Sequence, residues 1–242
     1  VTPTPGGETT STPTVGATPV AGALHHFLCY EDRARSLGRT VSLVDALGAS
    51  TATVFDGRRF CAPADKNDED PDAPGAVDHL VGYRLREVEP FPRVRGVVVT
   101  NQFGPQTVDL VRPEMLLVPT AKGLVGPPPP PYVPAIDHYE CYRASRARFG
   151  RRALQLEDQF GRVAVDVRRT ARLCLAVAKD GGPILDPAAH LLCYRARSNG
   201  GRPRREPVFI ANQFEERELR LFGVRDVCVP SIVDGLPSPP PP

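Results

Sequence analysis

The sequence predicts an all-β protein made of two tandem disulfide-bonded domains, each a β-sandwich or barrel-like pair of degenerate repeats, joined by a polyproline linker. Three observations predict it. A block of signatures recurs four times, β-rich runs end in turn chemistry, and prolines gather at both tails and in the middle.

The first signature occurs at His26-Phe27-Leu28-Cys29-Tyr30, His79-Leu80-Val81-Gly82-Tyr83, His138-Tyr139-Glu140-Cys141-Tyr142 and His190-Leu191-Leu192-Cys193-Tyr194. A second follows at Asp45-Ala46-Leu47-Gly48, Asn101-Gln102-Phe103-Gly104, Asp158-Gln159-Phe160-Gly161 and Asn212-Gln213-Phe214-Glu215. A third closes each unit, at Phe60-Cys61-Ala62-Pro63, Leu116-Leu117-Val118-Pro119, Leu173-Cys174-Leu175-Ala176 and Val227-Cys228-Val229-Pro230. From the Asp or Asn of the second signature to the cysteine position of the third is 16 residues in every unit. The first cysteine position lies 32, 35, 33 and 35 residues before the second. Regular spacing of this kind marks one structural unit used four times.

Six cysteines allow fifteen connectivities. The repeat removes most of them. Unit two has lost both cysteine positions together, to Gly82 and Leu117, while the other units keep both. Joint loss is what a bonded pair predicts, so the expected disulfides are Cys29–Cys61, Cys141–Cys174 and Cys193–Cys228. Each closes a loop worth about 4 kcal/mol in the chain-entropy model. A zinc site would leave His79 without purpose once both thiols are gone. Disulfides point to a secreted, extracellular or cell-surface protein.

Each unit reads as three or four strands. The first signature alternates, with Phe27 and Cys29 on one face and His26, Leu28 and Tyr30 on the other. Runs such as Thr40-Val41-Ser42-Leu43-Val44 and Val97-Val98-Val99-Thr100 end in Asn or Asp and Gly, the residues of a tight turn. A further run, such as Arg162-Val163-Ala164-Val165-Asp166-Val167, leads into the second cysteine.

The predicted layout is a Thr/Pro-rich tail at 1–23 and a first domain at 24–123, with units at 24–67 and 76–123. A polyproline linker at 124–135 leads to a second domain at 136–235, with units at 136–181 and 187–235, and a Pro-rich tail at 236–242. The cysteine positions of units one and three begin 112 residues apart, and those of units two and four 111 apart, so the units pair. Pro127 to Pro131 is a run expected to adopt polyproline II as a semi-rigid spacer. The C-terminal Pro239 to Pro242 restates it, as though another domain should follow. Pro127, Pro131, Pro239 and Pro242 are therefore candidates for head-to-tail assembly. The Ser/Thr-Pro tail is a candidate for O-glycans, and the start at Val1 reads as a mature chain whose signal peptide has been removed.

A net charge of +2 calls for no nucleic-acid partner, and no apolar run is long enough for a membrane span. Lys66, Lys122 and Lys179 are the only lysines. The remaining positive charge is arginine, scattered through strand-like segments and read as a solvated sheet face, with a polyanion-binding face as the alternative. The signatures H-F-x-C-Y, D-Q-F-G and L-C-x-P resemble those of a family of uncharacterised bacterial secreted repeat proteins, over roughly 24–235. The resemblance implies an exported β-repeat module and no activity. The chain departs from the pattern at unit two, which lacks the disulfide, and at Ala46-Leu47 in place of Gln-Phe.

Four histidines and four tyrosines share one repeat position each: His26, Tyr30, His79, Tyr83, His138, Tyr142, His190 and Tyr194. A catalytic histidine is normally unique in a fold, and no Ser or Cys nucleophile sits in an elbow, so the residues read as structural and no enzyme is expected. The same aromatic row suits stacking on sugar rings. Asp65, Asn67, Asp68 and Asp70 offer oxygens to calcium but lack the glycine-bearing loop spacing, and no cofactor is expected. The leading expectation is an extracellular structural subunit that self-associates into a filament or fibre. The alternative is a carbohydrate-binding or adhesion module held on proline-rich stalks.

Overall fold

The computed structural model describes residues 24–34, 36–130, 132–145, 149–200 and 207–236. Thirteen strands carry the fold: β1 (His26–Glu31), β2 (Arg39–Asp45), β3 (Gly48–Lys66), β4 (His79–Glu87), β5 (Val94–Asn101), β6 (Gly104–Gly123), β7 (His138–Ala144), β8 (Arg152–Asp158), β9 (Gly161–Lys179), β10 (His190–Ser198), β11 (Pro207–Ala211), β12 (Glu216–Arg220) and β13 (Val224–Asp234). Among the described residues one short 3-10 turn, Ala73–Gly75, lies between units one and two.

Eight strands close a ring of antiparallel pairs: β1 to β3, β4, β6, β7, β9, β10, β13 and back to β1. Each unit supplies two neighbouring staves, the strand of its first signature and the strand of its third. Within a unit the cysteine positions face each other, as Cys29↔Cys61, Gly82↔Leu117, Cys141↔Cys174 and Cys193↔Cys228. Between units the register slips by two residues every time, as Cys61↔Leu80, Met115↔Cys141, Cys174↔Leu191 and Cys228↔Phe27. A two-residue slip at each of four junctions is the stagger that lets an eight-stranded sheet close around an interior filled by side chains.

The expected division into two tandem domains does not describe this sheet. β6 of the first half pairs with β7 of the second, and β13 returns to β1, so all four units share one barrel. The proline segment expected to space two domains instead connects two paired neighbours, and it turns back on the barrel. Tyr132 Oη donates to Asp78 Oδ1 at 2.6 Å, and the Ala135 amide donates to Asp78 Oδ2 at 3.1 Å. A proline run stiffens the chain without deciding whether the strands at its two ends meet.

The three disulfides are Cys29–Cys61, Cys141–Cys174 and Cys193–Cys228. They line the lumen with Phe27, Leu80, Met115, Leu117, Tyr139 and Leu191. Neighbouring bridges touch, with sulfurs of Cys29 and Cys228, and of Cys174 and Cys193, 3.8 Å apart. In unit two the gap is filled from outside the pair. A Cβ on Gly82 would stand 2.7 Å from Met115 Sδ, so glycine makes room for the methionine that replaces a bridge.

The second core is wrapped around the outside of the barrel. β2–β3, β5–β6, β8–β9 and β11–β12 are hairpin arms that leave the barrel, pass over the preceding unit and land two units back. β2 adds to the end of β9, β8 to β3, β5 to β13 and β11 to β6. At each arm tip the Asp or Asn caps the turn through the amide two residues on: Asp45 to Leu47 at 2.7 Å, Asn101 to Phe103 at 2.9 Å, Asp158 to Phe160 at 2.8 Å and Asn212 to Phe214 at 2.9 Å.

The other side-chain atom of each cap meets the signature tyrosine two units away. Tyr142 and Tyr30 donate to Asp45 and Asp158 at 2.8 and 2.6 Å, while Asn101 and Asn212 each donate to Tyr194 and Tyr83 at 2.9 Å. Asn101 also reaches Ser231, and Asn212 reaches Thr120, both at 3.0 Å. At the corresponding sites for the two aspartates stand Val177 and Ala64. Odd units thus pair with odd, and even with even, each with matched donors and acceptors.

Each arm also touches the unit that it crosses. The amides of Gln102, Gln159 and Gln213 donate to Nε2 of His26, His79 and His138, at 2.9 Å for the second pair. Burial first, and a nearby lysine second, push these three histidines down to about 4, so each ring is neutral and free to accept at pH 7. Arm one carries Ala46 in place of the glutamine, and His190 is the histidine left over. Its Nδ1 is buried without a partner. Ala46→Gln is expected to give His190 Nε2 the donor that the other three histidines have and to raise stability by about 0.5–1.5 kcal/mol, read as a higher denaturant midpoint at unchanged m-value; a lower midpoint would contradict the repeat logic.

Candidate functional site

Two residues from each cysteine position, toward the end of the barrel away from the histidines, the inward layer changes character. The positions are Glu31, Arg59, Arg84, Met115, Arg143, Arg172, Arg195 and Asp226, one per stave. Strand alternation puts them on the same face as the sulfurs, and Arg59, Arg84, Met115, Arg143, Arg172 and Arg195 line the barrel's mouth.

A cleft of about 990 Å³ opens there. Arg58, Arg59, Arg84, Arg86, Arg112, Arg143, Arg169, Arg172 and Arg195 line it, against only Glu87, Glu89 and Glu114. Met115, Phe91, Leu85 and Pro113 supply apolar surface.

Asp226 anchors the floor. Its carboxylate is 2% exposed and takes Arg59 Nε at 2.6 Å, Arg195 Nη1 at 3.0 Å and Arg172 Nη1 at 3.3 Å. Burial alone would raise its pKa, but the guanidiniums of Arg172, Arg59 and Arg195 outweigh burial and hold it below the usual carboxylate range. Arg172 also lies 2.6 Å from Glu114 Oε1. On the wall, Arg58 and Arg84 share Asp56, the second at 2.8 Å, and Arg84 covers the Phe55 ring at 5.1 Å.

Arg86, Arg112, Arg143 and Arg169 make no ion pair among the described residues. All four are exposed. The strand register worsens their situation, because Arg143 lies directly opposite Arg172 and Arg169 directly opposite Arg195. Like charges facing each other across a sheet are destabilising. The mouth therefore holds more guanidinium than its carboxylates neutralise, on a floor locked by disulfides two residues below.

The tyrosines and histidines expected to be structural lie outside the barrel, under the arms. Tyr30, Tyr83, Tyr142 and Tyr194 are all buried, so no exposed aromatic row is available for sugar stacking. The calcium candidates are also committed elsewhere. Asp65 accepts the Asp70 amide at 2.9 Å, Asn67 accepts the Gln155 amide at 3.0 Å, Asp68 pairs with Arg162 at 2.7 Å and Asp70 with His25 at 2.7 Å. No group among the described residues has the geometry of a metal site. Asn67, at φ 55°, and Asp180, at φ 51°, mark the strand ends where arms three and one land. Of the assembly candidates, Pro127 lies exposed in the β6–β7 connection. Pro131, Pro239 and Pro242, and the Thr/Pro-rich tail, lie outside the described residues.

Reasoning from sequence missed the mouth, although its signal was present. Arginine follows the signature tyrosine in three units, at Arg84, Arg143 and Arg195, and it stands two residues before a closing cysteine at Arg59 and Arg172. Both positions share the parity of the cysteines. No family model, curated protein or solved structure matches the chain. The likeness to secreted repeat proteins stands on its three short motifs alone. No helix among the described residues is long and apolar enough to cross a membrane. Three disulfides are typical of extracellular proteins.

Removing the Asp226 charge would leave three guanidiniums crowded with no central anion. Asp226→Asn is expected to destabilise the fold by about 3–5 kcal/mol, as breaking a buried ion pair does. Chemical denaturation would show this, and a loss below about 1 kcal/mol would mean that the floor does not depend on the carboxylate.

Proposed function

We propose that this protein is a secreted, non-enzymatic binding module that takes an acidic carbohydrate in the arginine-lined mouth of its barrel. The observation that carries the reading is the cross-strand opposition of Arg143 to Arg172 and Arg169 to Arg195, in a cleft with four unpaired arginines. Repulsion of this kind is relieved when an anion bridges the pair. The planar guanidinium fork matches carboxylate, sulfate and phosphate oxygens two at a time.

Carbohydrate is favoured over a bare anion by the rest of the lining. Glu87, Glu89 and Glu114 stand among the arginines as acceptors for hydroxyl groups, and Phe91 offers a ring to an apolar sugar face. The cleft's volume is at the upper end of ordinary ligand sites, enough for more than one sugar ring. A filament or fibre role would rest on proline segments of which only the central one is largely described, and it has no comparable feature in the barrel. The mouth favours the binding module.

The test is titration calorimetry with sulfated and uronic acid oligosaccharides beside neutral oligosaccharides of equal length. Acidic ligands are expected to bind and neutral ones not, with affinity falling steeply as salt rises. Arg143→Ala and Arg169→Ala leave the buried Asp226 network in place. Each is expected to weaken binding about tenfold or more, the loss of one charge-assisted contact. Binding that is indifferent to both substitutions, or equal for neutral sugars, would overturn the reading.

A further inference from the structure

The four arm contacts are built on one plan, and one of them departs from it at three positions while keeping its turn cap and its tyrosine. Arm one carries Leu47 where the others carry Phe103, Phe160 and Phe214, and Ala46 where they carry glutamine. It lands on unit three, where Glu140 occupies the outward position held by Leu28, Val81 and Leu192 in the other units. The smaller tip and the polar floor meet at the same place.

Glu140 is 1% exposed. Its strand neighbours across the sheet are Leu116 and Leu175, both fully buried. Its Oε1 has no hydrogen-bond partner. The groups that act on it are Asp45 at the tip of arm one, Glu87 at the end of β4, and Tyr142 two residues along its own strand; no lysine or arginine is among them. Tyr142 spends its hydroxyl proton on Asp45 at 2.8 Å, and Asp45 holds the turn through the Leu47 amide at 2.7 Å. Three carboxyl groups thus converge under one hairpin tip with one phenol between them. Burial raises all three, and raises Glu140 furthest, to about 8. The sister contact of arm three differs. There the floor is Leu28, and burial raises Asp158 to about 6 against the Tyr30 hydroxyl, the Phe160 amide and Lys122, with no second buried carboxyl group in the floor.

We propose that arm one is a proton-dependent latch, seated on unit three while the Asp45–Glu87–Glu140 cluster holds a proton and loosened once all three carboxyl groups are charged. The sign follows from linkage. A carboxyl group that holds its proton more tightly when the arm is seated favours seating at low pH, and that preference is lost as pH rises through its seated value. A charge on the enclosed Glu140 beside two further carboxylates is poorly dispersed by solvent, so the hairpin tip that covers it is the part that moves. Lifting it exposes Tyr142 and the apolar strand faces beside it. It also widens the adjoining cleft of about 610 Å³, lined by Leu43, Leu47, Glu87, Phe91 and Tyr142. The latch stands on the outer wall, where Glu87, Glu89 and Phe91 line both its cleft and the mouth.

Hydrogen-exchange mass spectrometry of the intact, oxidised protein at pH 6.5 and pH 9 tests it, with protection corrected for intrinsic exchange. The other three arms serve as controls within the same molecule. Protection over 39–55 is expected to fall by about tenfold or more relative to 94–108, 152–166 and 207–220, the shift that one pH unit beyond ionisation gives a single proton. Glu140→Leu, which restores the residue of units one and four, and Glu140→Gln should each hold arm one level with the others at both pH values. An arm one that tracks the other arms in the unmodified protein overturns the latch, and this comparison stands even where a variant fails to fold. A pH-dependent loss that persists in Glu140→Leu overturns it as well.

Discussion

The slip of two residues at each junction between units governs the molecule. Closing eight staves into a ring requires a fixed total stagger, and spreading it equally over four junctions brings equivalent positions of the repeat into common layers. The cysteine positions form one layer, the residues two toward the histidine end form an apolar layer, and the residues two toward the other end form the charged floor. A different slip would interleave arginines with disulfides and leave guanidiniums in a lumen without room for counter-ions. Disulfides tolerate this position well, because a bridge between facing staves fills the lumen as it ties them. Where unit two lacks one, Met115 and Gly82 fill the same space by packing alone.

Closure also explains the arms. A barrel this narrow hides only its inner face, and apart from Glu140 on β7 the central outward positions of the staves are apolar too, with Leu28, Val81, Leu116, Leu173, Leu175, Leu192 and Val227 all buried. The hairpins supply the cover that a second sheet supplies in a sandwich. Because each arm crosses one unit and lands on the next, no unit can be removed without uncovering two others. The alternation of aspartate and asparagine at the tips follows from what each meets. Aspartate accepts from tyrosine beside an apolar neighbour, and asparagine has hydrogens for both tyrosine and a Ser or Thr hydroxyl.

Much of this was legible in the sequence, and the failures have definite causes. The joint loss at Gly82 and Leu117 identified each bonded pair, because a disulfide is a local property of one unit. The offsets of 112 and 111 residues carried the odd-even pairing of the arms, but they read equally well as two domains in tandem. Nothing in a strand's own sequence states which neighbour it will find, and the Pro127 segment looks the same whether it separates domains or joins adjacent staves. The tyrosines gave their position but not their partners, which lie more than 90 residues away. Counted along the chain, the arginines look scattered. Counted from the cysteines in steps of two, Arg59, Arg84, Arg143, Arg172 and Arg195 fall into one ring.

The two places where the repeat is broken differ in kind, and the difference bears on function. The mouth draws its chemistry from positions that every unit has and fills differently, on staves cross-linked by disulfides in units one, three and four. A charged floor held in this way is pre-organised, so a ligand meets guanidiniums that lose little freedom on binding. The contact beneath arm one lies on the outer wall, where a hairpin tip is held by a turn, a tyrosine hydroxyl and an apolar patch, and a buried carboxyl group has been placed in that patch. Rigidity belongs to the layer tied by sulfur, and adjustability belongs to the layer held by packing. A fold that separates the two by the thickness of one β-sheet can let an outer arm move while the arginines on the disulfide-tied staves stay in place.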